Sequence, residues 1–282
     1  MNLLQKIFPG KFKQDAPDTG TLVHQFIVEK SLAVVFQPIV SVKDATLLGH
    51  EALVRGPKGN TLESASALSA AAQREKCQRA YELACAENAM QRWARAQGRG
   101  KLFINVSAAC LGGADGVNMA EALVQTLRSY RVQPNRAVFE VSGYSRFEQP
   151  QLLAQATQFL QAVGALVALD GLKGSRSNLA AWTELQPDLI KLDARLTQDI
   201  ALSAEKTKVL GALVALAAQR KTILVAKGVE SASDLRALAA LGVGYAQGYF
   251  LGSPDVVPVD AVNFRARTVL EQPLQVSLSH SG

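Results

Sequence analysis

The sequence predicts one α/β domain, a TIM-like (β/α)8 barrel, on three observations. From about residue 32, short β-rich runs alternate with longer Ala- and Leu-rich stretches of helical spacing. Eight such runs can be counted, and several are apolar almost throughout, as strands buried on both faces must be. Together with the stretches between them they fill about 230 residues, the size of one barrel. Composition alone does not separate this from an open doubly wound sheet; the count and the size do.

In chain order the strand runs are Ala33–Val42, Leu47–Val54, Leu102–Val106, Ala137–Val141, Leu166–Leu169, Leu189–Leu192, Thr222–Ala226 and Tyr245–Gln247. The helical stretches are Ser64–Ala96, read as one long helix, then Met119–Ser129, Pro150–Val163, Lys206–Gln219 and Ala232–Leu241. Gly98-Arg99-Gly100 marks a turn between a helix and a strand. A Val/Pro-rich connector follows Pro254, then a short helix around Ala261–Leu270 and a polar tail. The expected organisation is a flexible basic tail over 1–25, the barrel over 26–258, and a C-terminal helix and tail over 259–282.

The chain has 282 residues, 48% of them hydrophobic and 19% charged, which excludes disorder along its length. Its 30 Lys and Arg against 24 Asp and Glu leave a formal charge of +6, suited to an anionic partner. Lys6, Lys11 and Lys13 account for part of that excess. Three cysteines, Cys77, Cys85 and Cys110, exclude a disulfide framework and point to a reducing cytoplasm. His24, His50 and His280 lie at no metal-ligand spacing, so no His/Cys zinc site is expected. No apolar run reaches the roughly 20 residues that span a bilayer. Leu3, Leu4, Ile7 and Phe8 allow a short membrane anchor, but a tail stopped by Pro9-Gly10 is the expected state. Nucleic-acid binding is not expected, because aromatics are 6% and no basic–aromatic stripe occurs. Trp93 and Trp182 read as packing anchors, and Cys77 and Cys85, eight apart on the long helix, as core residues.

In a barrel, chemistry sits where strands end and their loops converge. The residues there are Gln37, Glu51, Arg55, Asn105, Glu140, Asp170, Lys191, Asp193, Lys227, Glu230 and Gln247. Carboxylates in such places need a partner, a hydrogen bond or a metal. Glu51, Asn105, Glu140 and Asp170 form an oxygen set suited to a hard cation such as Mg²⁺ or Ca²⁺; each could instead pair with a lysine or cap a helix.

Gln37-Pro38-Ile39-Val40 with Gly49-His50-Glu51-Ala52-Leu53-Val54-Arg55 resembles the opening signature of the EAL domain, the family of cyclic di-GMP phosphodiesterases and their inactive relatives. The resemblance continues through Phe103-Ile104-Asn105-Val106-Ser107, Phe139-Glu140-Val141-Ser142, Ala168-Leu169-Asp170 and Pro187-Asp188-Leu189-Ile190-Lys191-Leu192-Asp193. It ends with Gly228-Val229-Glu230-Ser231 and Gln247-Gly248-Tyr249-Phe250. It implies a TIM-like barrel with an irregular first strand. Active members hold two Mg²⁺ or Mn²⁺ ions that activate a water, releasing linear pGpG. Carried over residue by residue, it implies metal contacts from Glu51, Asn105, Glu140 and Asp170. Lys191 would face the attacked phosphate and Glu230 would help hold the site. Gln37, Leu53, Arg55, Asp193 and Gln247 would touch the nucleotide.

Four departures from the family pattern bear on catalysis. Gly171 replaces the second aspartate after Asp170, and Lys227 replaces the first glutamate after the seventh strand. Gly143 replaces the second glutamate of the fourth-strand motif, and the catalytic loop has become Gly171-Leu172-Lys173-Gly174-Ser175-Arg176-Ser177-Asn178. A lysine inside a cation site repels the cation. The resemblance with these departures implies a non-hydrolysing cyclic di-GMP receptor signalling to an unidentified protein partner, with Lys191 and Glu230 vestigial. It implies at most one residual Mg²⁺, Mn²⁺ or Ca²⁺, with none required. Lys227, Lys173 and Arg176 would supply positive charge to the ligand phosphates. The alternatives are a nucleotide-independent interaction module, with the changed loop as the surface for a homodimer, and a weak phosphodiesterase working with one metal. With no second domain in the sequence, output is expected through a partner or through oligomerisation.

Overall fold

Eight strands close into one barrel in a computed structural model that describes residues 22–113, 116–260 and 262–271. The strands are β1 (Ala33–Ser41), β2 (Leu47–Arg55), β3 (Lys101–Ser107), β4 (Ala137–Ser142), β5 (Leu166–Leu172), β6 (Leu189–Leu192), β7 (Ile223–Ala226) and β8 (Tyr245–Ala246). All eight predicted runs are strands in the barrel. β1 runs antiparallel to both neighbours, β2 and β8, while the other pairs are parallel. Gln37 therefore lies in the middle of its strand, not at its end, and meets Glu51 because the antiparallel register pairs them directly.

The helices are α1 (Leu22–Val28), α2 (Ala65–Arg74), α3 (Gln78–Arg95), α4 (Ala108–Gly112), α5 (Gly116–Ser129), α6 (Pro150–Ala162), α7 (Arg176–Leu185), α8 (Ala194–Thr197), α9 (Ala204–Arg220), α10 (Ala232–Ala240) and α11 (Phe264–Glu271). The single helix expected over Ser64–Ala96 is two. Lys76 takes a left-handed φ of 54°, and the Cys77 amide bonds back to the Ala72 carbonyl at 2.9 Å, closing α2. No glycine or proline marks that break, so periodicity alone runs through it. Cys77 thus precedes α3, which contains Cys85, and both are buried in a side core with Val23, Phe26, Leu68 and Tyr81. Burial pushes the Cys77 thiol up to about 11 and Cys110 up to about 12, so neither is an activated nucleophile.

Both tryptophans are buried. The Arg136 guanidinium stacks 4.3 Å from the Trp93 ring, and Trp182 Nε1 donates to Thr222 Oγ1 at 3.2 Å. The possible membrane anchor near the N-terminus and the polar tail after Glu271 lie outside the described residues. Among the described residues no helix is long and apolar enough to cross a membrane.

The barrel interior is built in layers, because side chains two residues apart on a strand share a face. Ile39, Phe103, Val138, Ala168, Leu189 and Val225 form a dry apolar plug, each wholly buried. On five of those strands the residue two positions further along is polar: Asn105, Glu140, Asp170, Lys191 and Lys227. The apolar plug is the floor of the site.

Candidate functional site

Register brings the polar layer together. Pairing sets Gln37 opposite Glu51, Asn105 opposite Glu140, and Asp170 opposite Lys191. Lys191 is wholly buried, and its Nζ donates to Glu51 Oε2 and Glu140 Oε1, both at 2.7 Å. An ammonium in that position is tolerable only when paired this way. Glu51 also accepts from Asn105 Nδ2 at 3.0 Å and from Gln247 Nε2 at 2.7 Å. Gln247 Nε2 lies 3.2 Å from Gln37 Oε1 as well, and Gln37 Nε2 donates to the Gly252 carbonyl.

The two buried acids titrate in opposite directions. Burial raises the Glu51 carboxyl, but the Lys191 charge and the bonds from Asn105, Lys191 and Gln247 outweigh it and hold it down at about 2. Glu140 is pushed well above the usual carboxylate range, by burial first and then by the Glu51 charge, against the pull of Lys191. Burial lowers Lys191, and the Glu140 and Glu51 carboxylates overcome it, so the ammonium stays charged.

A second cluster stands on the β5–β7 side. Lys227 Nζ donates to Asp170 Oδ1 at 2.6 Å, with the two side chains 27% and 21% exposed. The next residue, Gly171, sits in a register shift of β5 with φ +77°, a glycine bulge that interrupts the ladder. A Cβ added at Gly171 or at Gly143 meets no atom within 4 Å, so positive φ, not lack of room, is what favours glycine at both. The Thr197 hydroxyl donates to the Lys227 carbonyl and ties α8 to this cluster.

The remaining residues named from sequence are engaged around the rim. Asp193 caps α8 through the Arg195 amide and is gripped by the Arg195 guanidinium, Nε to Oδ1 at 2.9 Å and Nη2 to Oδ2 at 3.1 Å. These bonds hold its carboxyl down at about 2. Lys173 Nζ lies 3.8 Å from the same carboxylate. Arg55 donates to the carbonyl of its neighbour Val54, Leu53 is half-buried, and Glu230 is exposed, accepting a long 3.4 Å bond from Gln198. Sequence reasoning passed over Arg195 and Thr197. An arginine two residues past a strand-end aspartate was a legible signal for the first; nothing in the sequence marked the second.

Among the described residues, no three His, Cys, Asp or Glu side chains stand together as a metal cage. The acids face ammonium groups instead. A second divalent ion does not fit: Gly171 offers no donor and Lys227 puts a positive charge beside Asp170. Glu51, Asn105, Glu140 and Asp170 carry oxygen donors of the kind a hard cation takes, and Glu140 Oε2 is buried without a hydrogen-bond partner.

A model of the EAL domain matches residues 22–254. The chain is 26% identical over 139 residues to the cyclic di-GMP phosphodiesterase PdeF of Escherichia coli, covering 49% of this chain and 18% of that protein. The FimX EAL domain of Pseudomonas aeruginosa, solved with cyclic di-GMP, aligns at TM-score 0.74 and 23% identity over 90% of this chain and all of that one, a likeness of fold. BlrP1 of Klebsiella pneumoniae, solved with manganese and cyclic di-GMP, aligns at TM-score 0.69 and 26% identity over 80% of this chain and 56% of that one. The chain spans between 18% and 42% of the length of the curated relatives it matches.

Proposed function

Because the chain belongs to the EAL domain family, we propose that it is a cyclic di-GMP receptor that does not hydrolyse its ligand and passes occupancy to a protein partner. The observation that carries this reading is the Lys227–Asp170 contact beside Gly171. Two-metal hydrolysis needs a bridged pair of cations at the scissile phosphate and a base for the water. Here Lys227 bonds Asp170, and its positive charge would repel a second cation. The same ammonium, with Lys173 on the β5–α7 loop and Arg176 at the start of α7, would meet the negative charge of the ligand phosphates. Gln37, Leu53, Arg55, Asp193, Glu230 and Gln247 would contact the nucleotide. Glu51, Asn105, Glu140 and Asp170 would hold a single Mg²⁺, Mn²⁺ or Ca²⁺, which would add phosphate neutralisation.

One observation favours a second reading, a nucleotide-independent interaction module. Gln247 Nε2 and the Asp193 carboxylate already bond within the protein. Calorimetric titration with cyclic di-GMP, in Mg²⁺ and again in chelator, with chromatography for pGpG, separates the readings. Binding in both buffers without pGpG is the expected result. Steady pGpG release would restore the enzyme reading, and no binding in either buffer would leave the interaction module.

A further inference from the structure

Arg195 occupies the Asp193 carboxylate in the way a guanine base would. Its Nε and Nη2 present two parallel N–H donors on one sp² carbon, and both reach the same carboxylate, at 2.9 and 3.1 Å. The Watson–Crick edge of guanine, N1–H beside N2–H₂, offers the same pair of donors at the same spacing. An adenine edge offers one donor and one acceptor, so it cannot replace both bonds.

The surroundings make that exchange inexpensive. Arg195 is 71% exposed, so its guanidinium can leave for water without uncovering a buried charge. Asp193 cannot follow, because its Oδ1 also caps α8 through the Arg195 amide and the helix is tied to Lys227 through Thr197. Lys173, 3.8 Å away, remains to balance the carboxylate.

We infer that Arg195 is an internal competitor for the base site, a residue that a guanine edge must displace from Asp193. This rests on the nucleotide-receptor reading and on Asp193 as a ligand contact. When the base binds, the freed guanidinium stays on the rim as a cation. The competition lowers affinity by the same factor for every base that must displace it, and guanine returns both hydrogen bonds.

The test is titration of cyclic di-GMP into the wild-type protein, Arg195→Ala and Arg195→Lys. Lysine keeps the charge and loses the fork. Both variants are expected to bind more tightly, by up to about fivefold, the scale of an exposed ion pair. In an Asp193→Asn background Arg195→Ala should change nothing. Equal or weaker binding in both single variants overturns the competition, while cyclic di-AMP binding to Arg195→Ala as tightly as cyclic di-GMP overturns the base selectivity. If neither the wild type nor the variants bind cyclic di-GMP, the receptor reading itself has failed and the inference goes with it.

Discussion

Two lysines each neutralise carboxylates in this barrel, and they do so in different surroundings. Lys191 is wholly buried between Glu51 and Glu140, on a floor of Ile39, Phe103, Val138 and Leu189. Lys227 meets a single acid, Asp170, where both side chains still see water. In the buried cluster every charge depends on the others, because low dielectric makes an unpaired ion very costly. At the rim, water screens the pair and can replace either partner. The same chemical contact is therefore structural at one place and exchangeable at the other. A ligand competes with Lys227's bond far more easily than with those of Lys191.

Lys191→Met is the severest way to probe this contrast. It leaves Glu51 and Glu140 facing each other without a cation, at a cost of about 3–5 kcal/mol in denaturant unfolding. Lys227→Met should cost no more than about 1 kcal/mol in the same assay. Similar losses at the two positions would dissolve the distinction.

Acid provides the next probe. The folded Glu51 carboxyl titrates at about 2, below its ordinary value of 4.5. Its contribution to stability is therefore full above about 4.5 and disappears as pH falls from there towards 2. Melting temperature should drop more steeply over that interval in the wild type than in Glu51→Gln; parallel curves would place the acid sensitivity elsewhere. Glu140 acts with the opposite sign, because its raised value favours the neutral form and opposes stability as pH rises through it.

A smaller effect than the loss of Lys191 is expected on binding. Lys227→Ala should weaken cyclic di-GMP about tenfold in chelator, the loss of one charge-assisted contact, and less in Mg²⁺. Equal affinity in chelator would show that Lys227 does not meet the phosphates.

Most of the barrel was legible in the sequence. Strands such as Leu189–Leu192 are buried on both faces and declare themselves as short apolar runs, and the helices between them keep a 3.6-residue rhythm. The break at Lys76 was not legible, because a lysine in the left-handed region leaves no compositional trace. Of the site, the list of polar strand-end residues could be written down, together with the replacements at Gly171 and Lys227. What each residue bonds to could not: nothing in the sequence says that Gln247 donates to Glu51, and Arg195 did not stand out at all.

By itself the sequence determined the barrel, the family and the residue types at the strand ends. Hydrophobic periodicity and chemical identity are local properties, and a chain states them outright. Only the tertiary structure decided which ammonium answers which carboxylate, because those pairs join residues as far apart as Glu51 and Lys191 through barrel closure and strand register. It also decided that one pair would be dry and the other wet. Burial depends on the whole packed barrel, and burial decides whether a charge pair holds the fold together or stays open to exchange with water.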